Sequence, residues 1–346
     1  MTSPPQAATA GNDTTTTGEP TSLDTEKSGK SSGEHTGRSP GQLMWMRFKR
    51  DRTGVVAACV VLFFFAIAAL APVIGMLYGK DPYTFYGQND PSLLGPFGYP
   101  TGGPGGISGE HWFGIEQDLG RDVMMQLLYG MRTSLYTAVP ITIVAVLIGV
   151  LMGLVGGFFG GSTDRWVGRV TDFFMALPSQ LFLISTMPVV VALFVDPQKE
   201  TPVYVRFSAM LIILSLLGWM GMARLVRSQT LSLREREFVE AARVSGASRW
   251  RILRKEVLPN LYTPILVQGT LMLPMAILSV AFLSFVGIGY TEPTPDWGRM
   301  FQTAGKVYQD NPTYMLFPGI AMVIFVVAFN LFGDSVRDAI DPKAGR

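Results

Sequence analysis

Residues 133–158 read TSLYTAVPITIVAVLIGVLMGLVGGF, without one Asp, Glu, Lys, Arg or His. A hydrocarbon core about 30 Å thick is crossed by about 20 mostly apolar residues wound as a helix, so this stretch is long enough to span a membrane. Five more stretches meet the same test, at 54–77, 173–195, 207–223, 261–285 and 313–333, and none contains any of those five residue types. Inside lipid every backbone N–H and C=O must bond within the protein, which makes continuous runs of this kind helices. The run at 207–223 is short and is expected to continue past Arg206 or Arg224, whose long side chains can snorkel to the interface. The expected fold class is an all-α polytopic bundle of six transmembrane helices. Composition agrees: 48% of the 346 residues are hydrophobic, only 16% are charged, and the mean hydropathy is +0.29. A soluble domain carries about a quarter of its residues as charges.

The same composition removes several function classes. The single cysteine, Cys59, lies in an apolar run, so no intrachain disulfide or cysteine-based metal site is possible. Two histidines, His35 and His111, leave almost nothing from which to build a histidine metal or catalytic cluster. The net charge of +2 gives no electrostatic case for nucleic acid. Proton relays and voltage sensors place ionisable groups at mid-membrane; their absence from all six runs argues against a self-powered ion-coupled carrier. Energy must then arrive from elsewhere. Gly29-Lys30-Ser31 has the letters that end a phosphate-binding loop, but Asp24 stands where its first glycine belongs and no strand precedes it. The chain therefore has no nucleotide-binding motif, and neither a cofactor nor a metal is expected on it. Asn12-Asp13-Thr14 is a glycosylation sequon by letters only.

The expected organisation follows from these runs. Residues 1–42 are Ser/Thr/Gly/Pro-rich, cannot bury enough apolar surface to order themselves, and are read as a disordered tail without a secretory leader. Residues 43–77 are an amphipathic lead-in and the first span, and 78–132 an outer loop with a helix ahead of the second span. Residues 133–335 are the core, carrying a long connection at 226–259, and 336–346 are a second tail. Lysine and arginine near span ends set orientation. Eighteen fall on the side of the amino terminus against seven on the other, so both termini are expected in the cytoplasm of a cell-membrane protein.

The connection at 226–259 has the pattern of structure. Ser232 and Glu235 have capping-box spacing. Phe238, Ala241 and Ala242 share one helical face at i, i+3 and i+4. Gly246 stands where a left-handed cap would close that helix. Ser248 can cap a second short helix carrying Trp250, Leu253 and Val257, which Pro259 is expected to stop. Two short helices at an angle, with a small-residue face, fit a groove in a partner protein. A basic amphipathic loop lying on anionic headgroups fits the same charges.

The letters of this connection bear on that choice. Glu240-Ala241-Ala242, three residues, Gly246, and then Leu258-Pro259 resemble the signature loop of the permease subunits of binding-protein-dependent ABC importers. Leu253 stands at the family's usual isoleucine and Glu256 where many members have histidine. Gly114–Ser134 with Gly120-Arg121-Asp122, Gly156–Pro178, Phe285–Trp297 and Asn330–Pro342 resemble further segments of the dipeptide/oligopeptide/nickel branch, C-type subunit. The resemblance implies a type I importer permease whose loop docks on ATPase subunits through Phe238, Glu240, Ala241, Ala242, Gly246, Leu253, Leu258 and Pro259. It also implies the partners. These are a homologous B-type permease, two ATPase subunits that bind ATP and Mg, and an extracytoplasmic solute-binding protein. Short peptides are the implied solute, with nickel complexes or oligosaccharides as alternatives.

Other features keep two readings. Gly149, Gly153, Gly157 and Gly161 form a four-residue ladder, read as a packing seam or a moving subunit interface. Pro178, Pro188 and Pro274 interrupt spans, as kinks or as a frame for a transport site. Asp164 and Asp172 are read as solvated helix-start acids. The Gly/Pro-rich stretch 78–112 is an inert connection or a receiver for a binding protein. A membrane scaffold or channel that only anchors a soluble partner is the rival to a transporter; a scaffold would bind an ATPase without altering its hydrolysis.

Overall fold

The structure, a computed structural model, describes residues 40–340 apart from Pro197. The expected tail, the phosphate-loop letters, the sequon and the chain end after Ile340 lie outside the described residues, except that 40–42 open the first helix. The helices are α1 Pro40–Arg50, α2 Arg52–Tyr78, α3 Tyr86–Asn89, α4 Val123–Phe159, α5 Gly161–Ala176 and α6 Ser179–Ala192. They continue as α7 Val203–Leu233, α8 Glu237–Val244, α9 Arg249–Ile252, α10 Leu258–Phe285, α11 Trp297–Val307 and α12 Thr313–Ile340. Among the described residues no β-strand forms; the two β-bridges, Leu94 with Pro100 and Ile115 with Asp122, are isolated. Five helices are long and apolar enough to cross a membrane, and α5 with α6 make a sixth, broken candidate.

The span boundaries differ from the sequence reading where polar caps and prolines act. α4 begins ten residues early because Asp122 accepts a hydrogen bond from the Met125 backbone N–H at 2.8 Å, capping the helix. Its 37 residues extend about 55 Å, well beyond the apolar core of a bilayer. The expected continuous span at 173–195 is instead broken by an 89° bend. Pro178 cannot donate to a helix ladder and pushes Leu177 into extended backbone (φ −74°, ψ 133°). Phe173–Ala176 therefore finish the amphipathic α5, and the apolar run starts again in α6. Pro188 and Pro274 lie inside helices that continue through them. α7 extends past both Arg206 and Arg224, yet neither simply snorkels: Arg206 donates to the Gly289 carbonyl at 2.7 Å and Arg224 pairs with Asp172 at 3.1 Å. α12 continues through Ile340, so residues 336–340 are helix and not tail.

Packing is dominated by the α4–α7 seam. A Cβ added at Gly149 would lie 2.6 Å from the Met222 Cβ. At Gly153 it would lie 2.7 Å from both the Ala223 carbonyl oxygen and the Val226 Cβ, and at Gly157 2.8 Å from the Arg227 carbonyl oxygen. Those three glycines let two backbones approach at van der Waals limits. The fourth rung does not join them. Gly161 opens α5 with a φ of +57° and nothing within 4 Å of its would-be Cβ, because the chain has already turned at Gly160.

Around this seam α2, α10, α11 and α12 enclose a core centred on Trp297, whose indole N–H donates to the Leu127 carbonyl at 3.1 Å and whose ring meets Phe64 edge-on. On the side away from the hairpin α8–α9, residues 79–122 form an ordered pad and not a structureless loop. Arg121, fully buried, holds Glu116 through two bonds (2.5 and 2.8 Å) and Glu292 through two more (2.5 and 3.0 Å). Tyr314 of α12 donates to Glu116 at 3.1 Å. Gly120 takes a φ of +66° and presses on the Gly87 backbone, where a Cβ would sit 2.5 Å from the Gly87 nitrogen. Asp122, besides capping α4, bonds His111 Nδ1 at 2.8 Å and accepts from the Tyr78 hydroxyl.

Candidate functional site, the hairpin at one end of the bundle

The hairpin is rooted by Val239. That side chain is fully buried, with Ile252, Leu253, Val257 and Leu261, against Leu154 of α4 and Met222 and Val226 of α7. α8 does not begin at the expected capping box. Ser232 still belongs to the last turns of α7, which runs on to Leu233, and Arg236 occupies the cap position without a side-chain bond. Tertiary packing of the last turns of α7, with Val226 and Thr230 fully buried, carries the helix through Ser232 and outweighs the cap signal.

The expected face of α8 is split. Ala242 turns inward beside Val239, whereas Phe238 (39% exposed), Ala241 and Val244 (86% exposed) face away from the bundle with Glu240. Positions 238, 241 and 244 recur every three residues, so they form one outward apolar strip on a helix only 8 residues long. Sequence reasoning missed Val239 and Val244. A three-residue offset from Val239 to Ala242, competing with Phe238 to Ala241, was the signal available.

Gly246 closes α8 with a φ of +77°. Its N–H donates to the Arg243 carbonyl at 3.1 Å, and the Ala247 N–H reaches the Ala242 carbonyl at 3.1 Å, the paired bonds of a left-handed helix cap. Ser248 then caps α9, its hydroxyl accepting from the Arg251 N–H at 3.4 Å. Trp250, 63% exposed, meets Phe159 edge-on at 5.6 Å. Pro259 does not stop the second helix. Leu253–Val257 widen into a π turn, with the Leu258 N–H reaching the Leu253 carbonyl, and α10 continues from there. The wider turn absorbs a proline ring that lacks an N–H and crowds the carbonyl four residues back. Leu253 is buried, Leu258 half-buried and Pro259 exposed. Glu256 gives its backbone carbonyl to the Asn260 side chain at 2.6 Å. The hairpin is thus continuous with a membrane-crossing helix.

Polar contacts fix its surroundings. Arg227 of α7 grips Asp164 of α5 through two bonds, 2.5 and 2.8 Å, and Arg234 donates to the Gly157 carbonyl at 3.2 Å. Asp164 is therefore paired across helices and not simply solvated, whereas Asp172, 73% exposed, stays solvated beside its surface pair with Arg224. A cleft of about 830 Å³ opens beside the hairpin between Phe158, Phe159, Arg234, Glu240 and Arg249. Among the described residues no group of three or more His, Cys, Asp or Glu side chains is placed to hold a metal ion. The arrangement offers shape, an apolar strip and leverage.

Comparison with known proteins fits this arrangement. Residues 145–346 match the family described as binding-protein-dependent transport system inner membrane component, and residues 39–96 match the N-terminal TM domain of oligopeptide transport permease C. The dipeptide transport system permease protein DppC of Alkalihalophilus pseudofirmus is 32% identical over 316 residues, covering 90% of this chain and 92% of the relative. The glutathione transport system permease protein GsiD of Shigella flexneri is 36% identical over 308 residues, covering 88% and 91%. Among solved structures, an inward-facing MetNI methionine ABC transporter aligns with a TM-score of 0.51 at 20% identity, over 63% of this chain and 98% of that one.

Proposed function

The chain belongs to the binding-protein-dependent transport system inner membrane components and has the type I ABC importer permease fold, and from that premise we propose that it forms one half of the pore of an ATP-driven importer of short peptides. In this reading a homologous B-type permease supplies the other half. Two ATPase subunits, which bind ATP and Mg, dock on α8–α9, and an extracytoplasmic binding protein delivers solute to the far side. The hairpin side, with both termini, is then cytoplasmic, as the lysine and arginine bias expects. Peptides are inferred from the dipeptide and glutathione transport named in the relatives.

The observation that carries the coupling role is the hairpin itself. An outward strip of Phe238, Ala241 and Val244 stands on an element rooted by Val239 and continuous with α10. Exposed apolar side chains clustered at one end of a bundle mark a protein contact. A partner gripping that strip moves α10 with it. Because ATPase closure shifts the permease only through differing contacts in the two states, stiffness between strip and span is what the role requires. The amphipathic-loop reading is disfavoured by the same strip, since Glu240 stands within it.

The test is Gly246→Val. Nothing lies within 4 Å of the added Cβ, so there is no clash; the cost is the left-handed backbone, roughly 1–2 kcal/mol for an L residue. Membrane abundance should stay near that of the native chain. ATP-driven uptake should fall roughly tenfold or more, the effect of losing about 1.4 kcal/mol of coupling. Native uptake at native abundance would count against the coupling role.

A further inference from the structure

One face of α10 is only partly covered by its own subunit, with Met275 exposed and Gln268, Met272 and Ser279 half-buried. Leu273, Ile277, Val280 and Ala281 point into the core, whereas Gln268, Met272, Met275 and Ser279 recur at i, i+4, i+7 and i+11 along the opposite face. They border a groove of about 180 Å³ whose far walls are Thr142 and Ala145 of α4 and Gly218 of α7. The stripe covers roughly 16 Å of helix, and Gln268 lies about 5 Å from the middle of α10 toward the hairpin end.

The polar groups of this groove are unequal. The Thr142 hydroxyl donates to the Ala138 carbonyl at 2.9 Å and the Ser279 hydroxyl to the Met275 carbonyl at 2.9 Å, so both hydrogens are used within their own helices. Gln268 is different. Among the described residues its side-chain amide has no hydrogen-bond partner, although it is half-buried in the middle of an apolar span. An amide facing hydrocarbon loses its bonds to water and gains none, and polar side chains in spans face the protein interior or a water-filled cavity. A lipid-facing stripe needs no glutamine.

We propose that this stripe is the chain's share of the solute path and that the Gln268 amide bonds the main-chain amides of the passing peptide. The inference rests on the permease reading above and adds the contact chemistry. A primary amide offers donor and acceptor side by side, the complement of a peptide bond. No Asp, Glu, Lys, Arg or His borders the groove, so this surface does not select on side-chain charge. Met272 and Met275 follow the amide along the stripe with flexible, polarisable side chains that conform to varied shapes. The surface reads backbone and tolerates sequence.

The test uses the assembled transporter in membranes, with Cys59, the single cysteine, replaced by Ala. Gln268→Cys and Met275→Cys should react with a membrane-impermeant methanethiosulfonate in at least one nucleotide state. Val323→Cys, on the apolar outer face of α12, should not. Gln268→Leu should cut trialanine uptake at least tenfold, and Gln268→Asn should retain most of it. Labelling absent at both positions in every state, as a lipid-filled or subunit-covered groove requires, overturns the proposal. So does native uptake by Gln268→Leu. Failure of the unmutated complex to take up trialanine would instead strike the permease reading, because labelling reports on the groove without any transport.

Discussion

Gly153→Val should leave little folded protein in the membrane, and what survives should melt well below the native chain. The added Cβ alone would meet the Ala223 carbonyl oxygen and the Val226 Cβ at 2.7 Å and the Arg227 nitrogen at 2.9 Å. Two of those three atoms are backbone, so no side-chain rotation relieves the contact. Overpacking of a tight core costs about 1–3 kcal/mol, and a clash against helix backbone belongs at or above the upper end. About 3 kcal/mol corresponds to a fall of roughly 6–12 °C in melting temperature for a domain of about 150–250 residues, and to a smaller fall of several degrees for a chain of this length. Gly221→Ala, on the same helix as the clashing partners but with nothing within 4 Å, should leave the melting temperature unchanged or slightly raised. Thermal unfolding of the detergent-purified pair measures the difference. Equal melting temperatures would show that α4 and α7 separate freely at this level, which is what a moving interface needs and a static seam forbids.

Arg121→Met should be the most damaging substitution outside the membrane. The guanidinium is fully buried, with two bonds to a buried Glu116 and two to a half-exposed Glu292. Burial works against its charge, but the hydrogen bonds it donates to Glu116 and Glu292 more than reverse that, holding its pKa above the ordinary value. Removing one partner of a buried pair costs about 3–5 kcal/mol, because the other charge is left without compensation. Glu292 keeps Arg299 at 3.0 Å and is half-exposed to water; among the described residues the buried Glu116 pairs with no other cation. The loss should therefore be recovered in large part by the double change Arg121→Met with Glu116→Gln, in which position 116 no longer carries an uncompensated buried charge. Limited proteolysis should cut the 79–122 pad in the single variant and spare it in the double one. A single variant as protease-resistant as the native chain would show that the pad is held by its apolar contacts alone.

The long spans were legible because lipid imposes one simple demand, about 20 residues without charge, and five of the six runs became single helices on that ground. The run at 173–195 satisfied the same demand and is nevertheless bent by 89°, since mean hydropathy carries no information about Leu177-Pro178. In the hairpin, Gly246 and Ser248 acted as their residue types dictate, being local signals with local consequences. Ser232-x-x-Glu235 is equally local and went unused, because α7 had enough packed length to run through it. The glycine ladder shows the limit of spacing as a guide: Gly149, Gly153 and Gly157 meet α7, and Gly161, at the same interval, meets nothing. Arg121 was visible only by resemblance. Its partner Glu292 is 171 positions away, and Tyr314, which shares Glu116 with it, lies 198 positions from that glutamate. No periodicity connects residues at such distances.

The coupling claim is tested most directly in proteoliposomes holding the complete transporter, where ATP hydrolysis and trialanine uptake are followed together with loaded binding protein outside. Replacing 237–252 of this chain by a flexible Gly/Ser segment of equal length should abolish uptake and break the dependence of hydrolysis on the binding protein. Uptake at the native rate with that segment in place, or uptake by the intact complex without nucleotide, would contradict the account.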